Sequence, residues 1–159
     1  MSRTAMEQLY AELILDHART PEGRTLEDAP EPQGPCGESH QVNPTCGDEI
    51  RLRVELDPAG RVAHVRWAGQ GCSISQASAS VLTGLVEGAE PAAAEQLGED
   101  FRSLLRGRGA EAEPGLAERL GDLTAFTGVA RFPARVKCAL LAWAALREAL
   151  ALAVTKEER

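Results

Sequence analysis

A chain of 159 residues carrying 24 acidic against 17 basic side chains has a net charge of −7, which argues against nucleic acid or an anionic membrane as its main partner. The length fits one domain, expected over residues 1–159, with enough chain to bury a core. Four cysteines without a close pair, behind an N-terminus interrupted by Glu7 and Glu12 and so unlike a signal peptide, point to a reducing, cytoplasmic setting. There thiols serve metals or catalysis rather than disulfides. The apolar run from Cys138 to Leu146 is too short to span a bilayer.

In chain order, Thr4 and Glu7 read as a capping box that opens an amphipathic helix. Met6, Leu9, Tyr10, Leu13, Ile14 and His17 share one face of it, and Thr20-Pro21 ends it. His17 continues the apolar face and reads as a packing residue, not a ligand. From Pro21 to Thr45 no period is sustained; the prolines and glycines of this stretch predict a long loop. From Glu49 to Leu56 the pattern alternates, Ile50, Leu52, Val54 and Leu56 against Arg51, Arg53 and Glu55. Asp57-Pro58-Ala59-Gly60 is a turn, and Ala63, Val65 and Trp67 then alternate with His64 and Arg66. This is a β-hairpin with one buried face and His64 on the solvated one. Because its strands are antiparallel, Cys46 just before the first and Cys72 just after the second emerge at the same end.

The hairpin delivers the chain to Gly69-Gln70-Gly71-Cys72-Ser73-Ile74-Ser75-Gln76. Ser73 and Gln76 read as a second capping box, and Ile74, Ala77, Val81 and Leu85 recur at helical spacing up to Gly88. Cys72 is thus expected beside free backbone N–H groups and the positive end of a helix dipole, both of which favour a thiolate. Pro91 opens a third helix, with Leu97, Phe101, Leu104 and Leu105 on its apolar side and its end near Gly107. Arg106 to Gly115 reads as an exposed loop, Leu116 to Leu120 as a short helix, and Thr127-Gly128 as a break. Pro133 takes the first position of a last long helix, from Ala134 to about Val154, with Cys138 in its second turn.

Two triplets echo each other. Cys36-Gly37-Glu38 and Cys46-Gly47-Asp48 each set a thiol and a carboxylate two residues apart, on one side of an extended segment. Only the second abuts a predicted strand. A binding site needs rigid support, so Cys36 is not expected to be a ligand.

Asn43-Pro44-Thr45-Cys46-Gly47-Asp48, the Gly69 to Ser80 stretch and Arg135-Val136-Lys137-Cys138-Ala139-Leu140-Leu141-Ala142-Trp143 together resemble the U-type iron–sulfur cluster assembly proteins, the IscU/NifU N-domain family. The resemblance covers nearly the whole chain, including the helix from Leu9-Tyr10 to Leu15-Asp16-His17. It implies an α+β fold, a small antiparallel sheet covered by helices, and one site made of Cys46, Asp48, Cys72 and Cys138. Lys137 stands where scaffold-type members usually carry histidine, and the interval from Cys72 to Cys138 is long. Both features look like the SufU branch, zinc-containing proteins that accept sulfur from a cysteine desulfurase (SufS-like).

Three thiolates and a carboxylate complete a four-coordinate zinc shell, while soft sulfur ligands also admit iron–sulfur clusters. Under the SufU-like reading the chain is a sulfurtransferase. Cys46, on its Pro/Gly-rich lead-in, is then the catalytic sulfur acceptor, and a downstream cluster-building scaffold receives the sulfur. Arg135 and Lys137 either offset negative charge, bind the partner or form a solvated turn. The alternatives are a scaffold on which an iron–sulfur cluster is built, and a purely structural zinc domain.

Overall fold

The computed structural model describes residues 2–158. Helix α1 (Arg3–Arg19) leads to strands β1 (Cys36–Asn43), β2 (Asp48–Leu56) and β3 (Val62–Gln70). Then come α2 (Ser73–Val86), α3 (Pro91–Arg106), α4 (Pro114–Leu120), a 3₁₀ helix (Gly121–Arg131) and α5 (Pro133–Glu157). The result is an α+β fold in which β2 lies at the centre of a three-stranded antiparallel sheet.

The alternation in β2 does what it predicts: Ile50, Leu52, Val54 and Leu56 are all buried, facing the helices with Val65 and Trp67 of β3. The pairing runs Asn43 with Asp48 and Glu49 with Gln70, so both connections at that end of the sheet carry cysteines of interest. At the other end the Asp57 carboxylate accepts from the backbone of Ala59 and Arg61, closing the β2–β3 turn.

Four details differ from the sequence expectations. The first helix is capped by Ser2, whose hydroxyl accepts from Ala5 N at 3.1 Å, not by Thr4. The second begins one residue earlier than a Ser73 cap requires: Cys72 is the N-cap, and Gln76 N donates to the Cys72 carbonyl. Thr127-Gly128 does not break the chain, because the 3₁₀ helix runs through it and buries Phe126 and Val129 on either side. The predicted loop from Pro21 to Thr45 ends in an eight-residue strand, β1, with Gly37, Ser39 and Asn43 inward. A Cβ on Gly37 would run into the Ala149 carbonyl and Leu152 of α5, so glycine is what lets helix and strand close.

Helix α5 is the hub. By length and composition it could cross a membrane, longer than the Cys138–Leu146 run suggested. It spends that apolarity inside the fold, burying Ala139, Ala142, Trp143, Leu146, Ala149, Leu150 and Ala153. Trp143 donates to Ser78 Oγ at 3.2 Å, and Ser78 donates to the Ala139 carbonyl at 2.6 Å, so α2 and α5 are pinned through a fully buried polar pair. On the far side Phe101 meets Phe126 edge-on at 5.5 Å. Histidine 17 lies in the last turn of α1, its Nδ1 2.7 Å from Ser80 Oγ and its Nε2 3.3 Å from Asp122. It is a packing and bridging residue, as its position on the apolar face suggests.

Candidate metal centre

The β1–β2 turn is tight. Gly47 N donates to the Asn43 carbonyl at 2.9 Å, Thr45 N to Asn43 Oδ1 at 3.2 Å, and Gly47 takes φ +75°, a conformation that favours glycine. This puts Cys46 at an exposed tip and Asp48, the first residue of β2, inside at 1% exposure. β3 then returns beside β2 and ends next to Asp48, so Cys72 N donates to Asp48 Oδ1 at 3.0 Å. Cys138, buried near the start of α5, comes in from the third side.

Four residues separated in sequence therefore meet at one point. Cys46 Sγ lies 3.0 Å from Asp48 Oδ2 and 3.4 Å from Cys138 Sγ. The ligand atoms of Cys46, Asp48 and Cys138 all fall within 4.8 Å of one another. Cys72 Sγ stands slightly apart from that trio, 3.8 Å from Asp48 Oδ2 and 3.8 Å from Ser75 Oγ.

The donor set suits a soft cation. Two thiolates bound ~2.3 Å from a tetrahedral zinc stand ~3.8 Å apart, a small opening from the 3.4 Å of the Cys46–Cys138 contact. Electrostatics point the same way. Burial raises the Asp48 carboxyl, but hydrogen bonds from the Cys46 and Cys138 thiols and from Cys72 N–H outweigh it and hold the group below the ordinary carboxylate range. Burial, then the contacts with Asp48 and Cys46, push the Cys138 thiol far above the ordinary thiol range. A carboxylate is present, but a buried thiolate needs a cation beside it.

The remaining sequence candidates fall elsewhere. Cys36 opens β1 opposite Glu55, at the far end of the strand from Asn43 and roughly 20 Å from the cluster at strand spacing. It is held in a sheet, not in the loose segment expected, and its triplet is not part of this site. Arg135 and Lys137 sit on exposed positions in the first two turns of α5; Arg135 stacks over the Phe132 ring at 4.7 Å. Ser75 was not singled out by sequence reasoning. It donates to the Cys72 carbonyl at 3.0 Å and lies against the Cys72 thiol, a contact signalled by its place three residues on at a helix start.

The NifU-like N-terminal domain pattern matches residues 9–151, a span that includes all four converging residues. The chain belongs to this family. Among NifU-like relatives, a protein of Bacillus subtilis (strain 168) described as the zinc-dependent sulfurtransferase SufU is 37% identical over 149 residues, covering 92% of each chain. One of Streptococcus pyogenes serotype M1, described as the iron–sulfur cluster assembly scaffold protein IscU, is 35% identical over 94% of this chain and 87% of its own. In three dimensions, a SUF-system scaffold protein by description, from Fervidobacterium islandicum AW-1, superposes with a TM-score of 0.74 at 28% identity, over 87% of this chain and 94% of that one.

Proposed function

We propose that this NifU-like chain is a zinc-dependent sulfurtransferase of iron–sulfur cluster assembly, taking persulfide sulfur from a cysteine desulfurase in the cytoplasm and passing it to a cluster-building scaffold. The observation that carries this reading is the contrast between Cys46, exposed on a turn, and the buried Asp48 and Cys138 it touches. Cys46, Asp48, Cys72 and Cys138 would hold the zinc, which when bound supplies the positive charge that keeps thiols as thiolates.

Cys46 is the acceptor. The Pro/Gly-rich sequence before it predicts a flexible lead-in; in the fold its reach comes from the turn tip instead, since β1 before it is paired along its length. Its thiolate attacks the outer sulfur of the desulfurase persulfide. A new S–S bond forms on Cys46, the old one breaks, and the desulfurase cysteine leaves as thiolate, so no oxidant or net proton is required. Asp48 holds position through Cys72 N–H while Cys46 moves, and Cys72 and Cys138 stay fixed at helix starts. The scaffold reading draws on the same soft donors. Lys137 favours the relay: it stands beside Cys138 in sequence, and a lysine side chain, a hydrogen-bond donor without an acceptor, is no spare ligand for a growing cluster.

The test is to incubate zinc-loaded protein with a cognate desulfurase and cysteine, then map added sulfur by peptide mass spectrometry. Persulfide on Cys46 and raised desulfurase turnover are expected. Persulfide confined to Cys36 would overturn the assignment.

A further inference from the structure

An open groove of about 820 Å³ lies between the end of α3, the loop after it, the 3₁₀ helix and the start of α5. Its cations come from four segments: Arg102 and Arg106 from α3, Arg108 from the loop, Arg131 from the 3₁₀ helix and Lys137 from α5. Its floor is apolar, formed by Leu105, Val136 and Leu140. Among the described residues, no carboxylate and no aromatic ring lines it. Arg102 is neutralised by Glu99 at 2.9 Å and Arg131 is 3.9 Å from Glu7, but Arg106, Arg108 and Lys137 have no ion pair among the described residues.

On a chain of net charge −7, a groove this rich in unpaired cations is a local reversal of the surface field. We infer that it is a docking groove for an acidic segment of a partner protein, one that sets Asp or Glu against the rim and an aliphatic side chain on the floor. The volume and the apolar floor are more than an inorganic anion fills. A concave floor is poorly reached by a flat membrane, and a groove without aromatic rings offers no stacking platform for nucleic-acid bases. Lys137 lines the groove and directly precedes Cys138 in the chain, while the thiols themselves lie outside the groove lining. The inference rests on charge and shape and stands whether the thiols relay sulfur or build a cluster.

The probe is a synthetic peptide of repeating Glu-Glu-Leu, titrated into ¹⁵N-labelled zinc-loaded protein. Expected are saturable shifts clustered at 105–108, 130–131 and 136–140, weakened at least tenfold in Arg106→Gln/Arg108→Asn. Asparagine is chosen because Arg108 sits at φ 51°. Arg106→Gln alone, which keeps a helix former, should weaken binding by a smaller factor and serves if the double variant is unstable. Zinc content and Tm unchanged in the variant would show the fold intact. Three results would overturn the inference: a Gln-Gln-Leu peptide binding equally well, shifts that persist in the variant, or pyrophosphate or phosphatidylglycerol vesicles giving the same shifts more tightly than the peptide.

Discussion

Asp48 does two jobs with two oxygens: Oδ1 fixes the Cys72 backbone, and Oδ2 faces the Cys46 thiol. That arrangement depends on a residue with no side chain. A Cβ on Gly71 would overlap Ser75 Oγ and Asp48 Oδ1 together, and Asp48 cannot retreat because it is buried. Gly71→Ala should therefore displace the carboxylate and lower zinc affinity roughly 10- to 100-fold, the usual scale for losing support behind a ligand. Competition with a chromophoric chelator measures it. Cys36→Ser, at the far end of β1, should leave zinc content unchanged; zinc lost there but kept in Asp48→Ala would show that the wrong fourth ligand has been named.

At the scale of elements, two places are informative. Gly37 of β1 lies against the α5 backbone, and Gly37→Ala should cost about 1–3 kcal/mol from overpacking while zinc stoichiometry stays the same. Denaturant melts with parallel metal analysis separate the two effects. The same glycine explains why β1 was not legible in the sequence. Its inward positions are Gly37, Ser39 and Asn43, which carry no apolar alternation, and its prolines and glycines upstream look like loop. β2 and β3 were legible because, Asp48 apart, their inward residues are aliphatic or Trp67. Of the cluster, the hairpin pattern places Cys46 and Cys72 at one end by local signals, whereas Asp48 and Cys138 are named as partners only by the family resemblance. The 3.0 Å tie from Cys72 N to Asp48 is tertiary and was not legible. The second place is α3, where the half-exposed Arg119 of α4 donates to Asp100 at 3.1 Å. That bond, against a burial penalty and with help from Gln96, holds the Asp100 carboxyl below its ordinary value. A folded value below the unfolded one means the stabilisation is complete above pH ~4 and is lost as pH falls through the folded value. Asp100→Asn should lower stability by about 1 kcal/mol at neutral pH, with the difference shrinking below pH ~3 in acid melts.

At the scale of the molecule, relay and scaffold use the same thiols, so the distinction lies in what surrounds them. A scaffold gains from a neutral imidazole next to the third cysteine, a ligand that can engage iron while sulfur arrives. Here Lys137 stands in that place, exposed on α5 and facing the basic groove. A lysine ammonium can offset thiolate charge but has no lone pair to give a metal. With zinc in place, anaerobic iron and sulfide should therefore yield little stable cluster, read as weak visible absorption with zinc retained. Desulfurase turnover should rise well above the rate that free thiols support. Lys137→His should make cluster capture easier and leave the Cys46 persulfide yield largely intact, because Cys46 approaches from the β1–β2 turn and not from α5. Wild-type protein that readily loads a cluster, transfers it intact to an apo-acceptor and leaves desulfurase turnover unchanged would establish the scaffold reading in place of the relay.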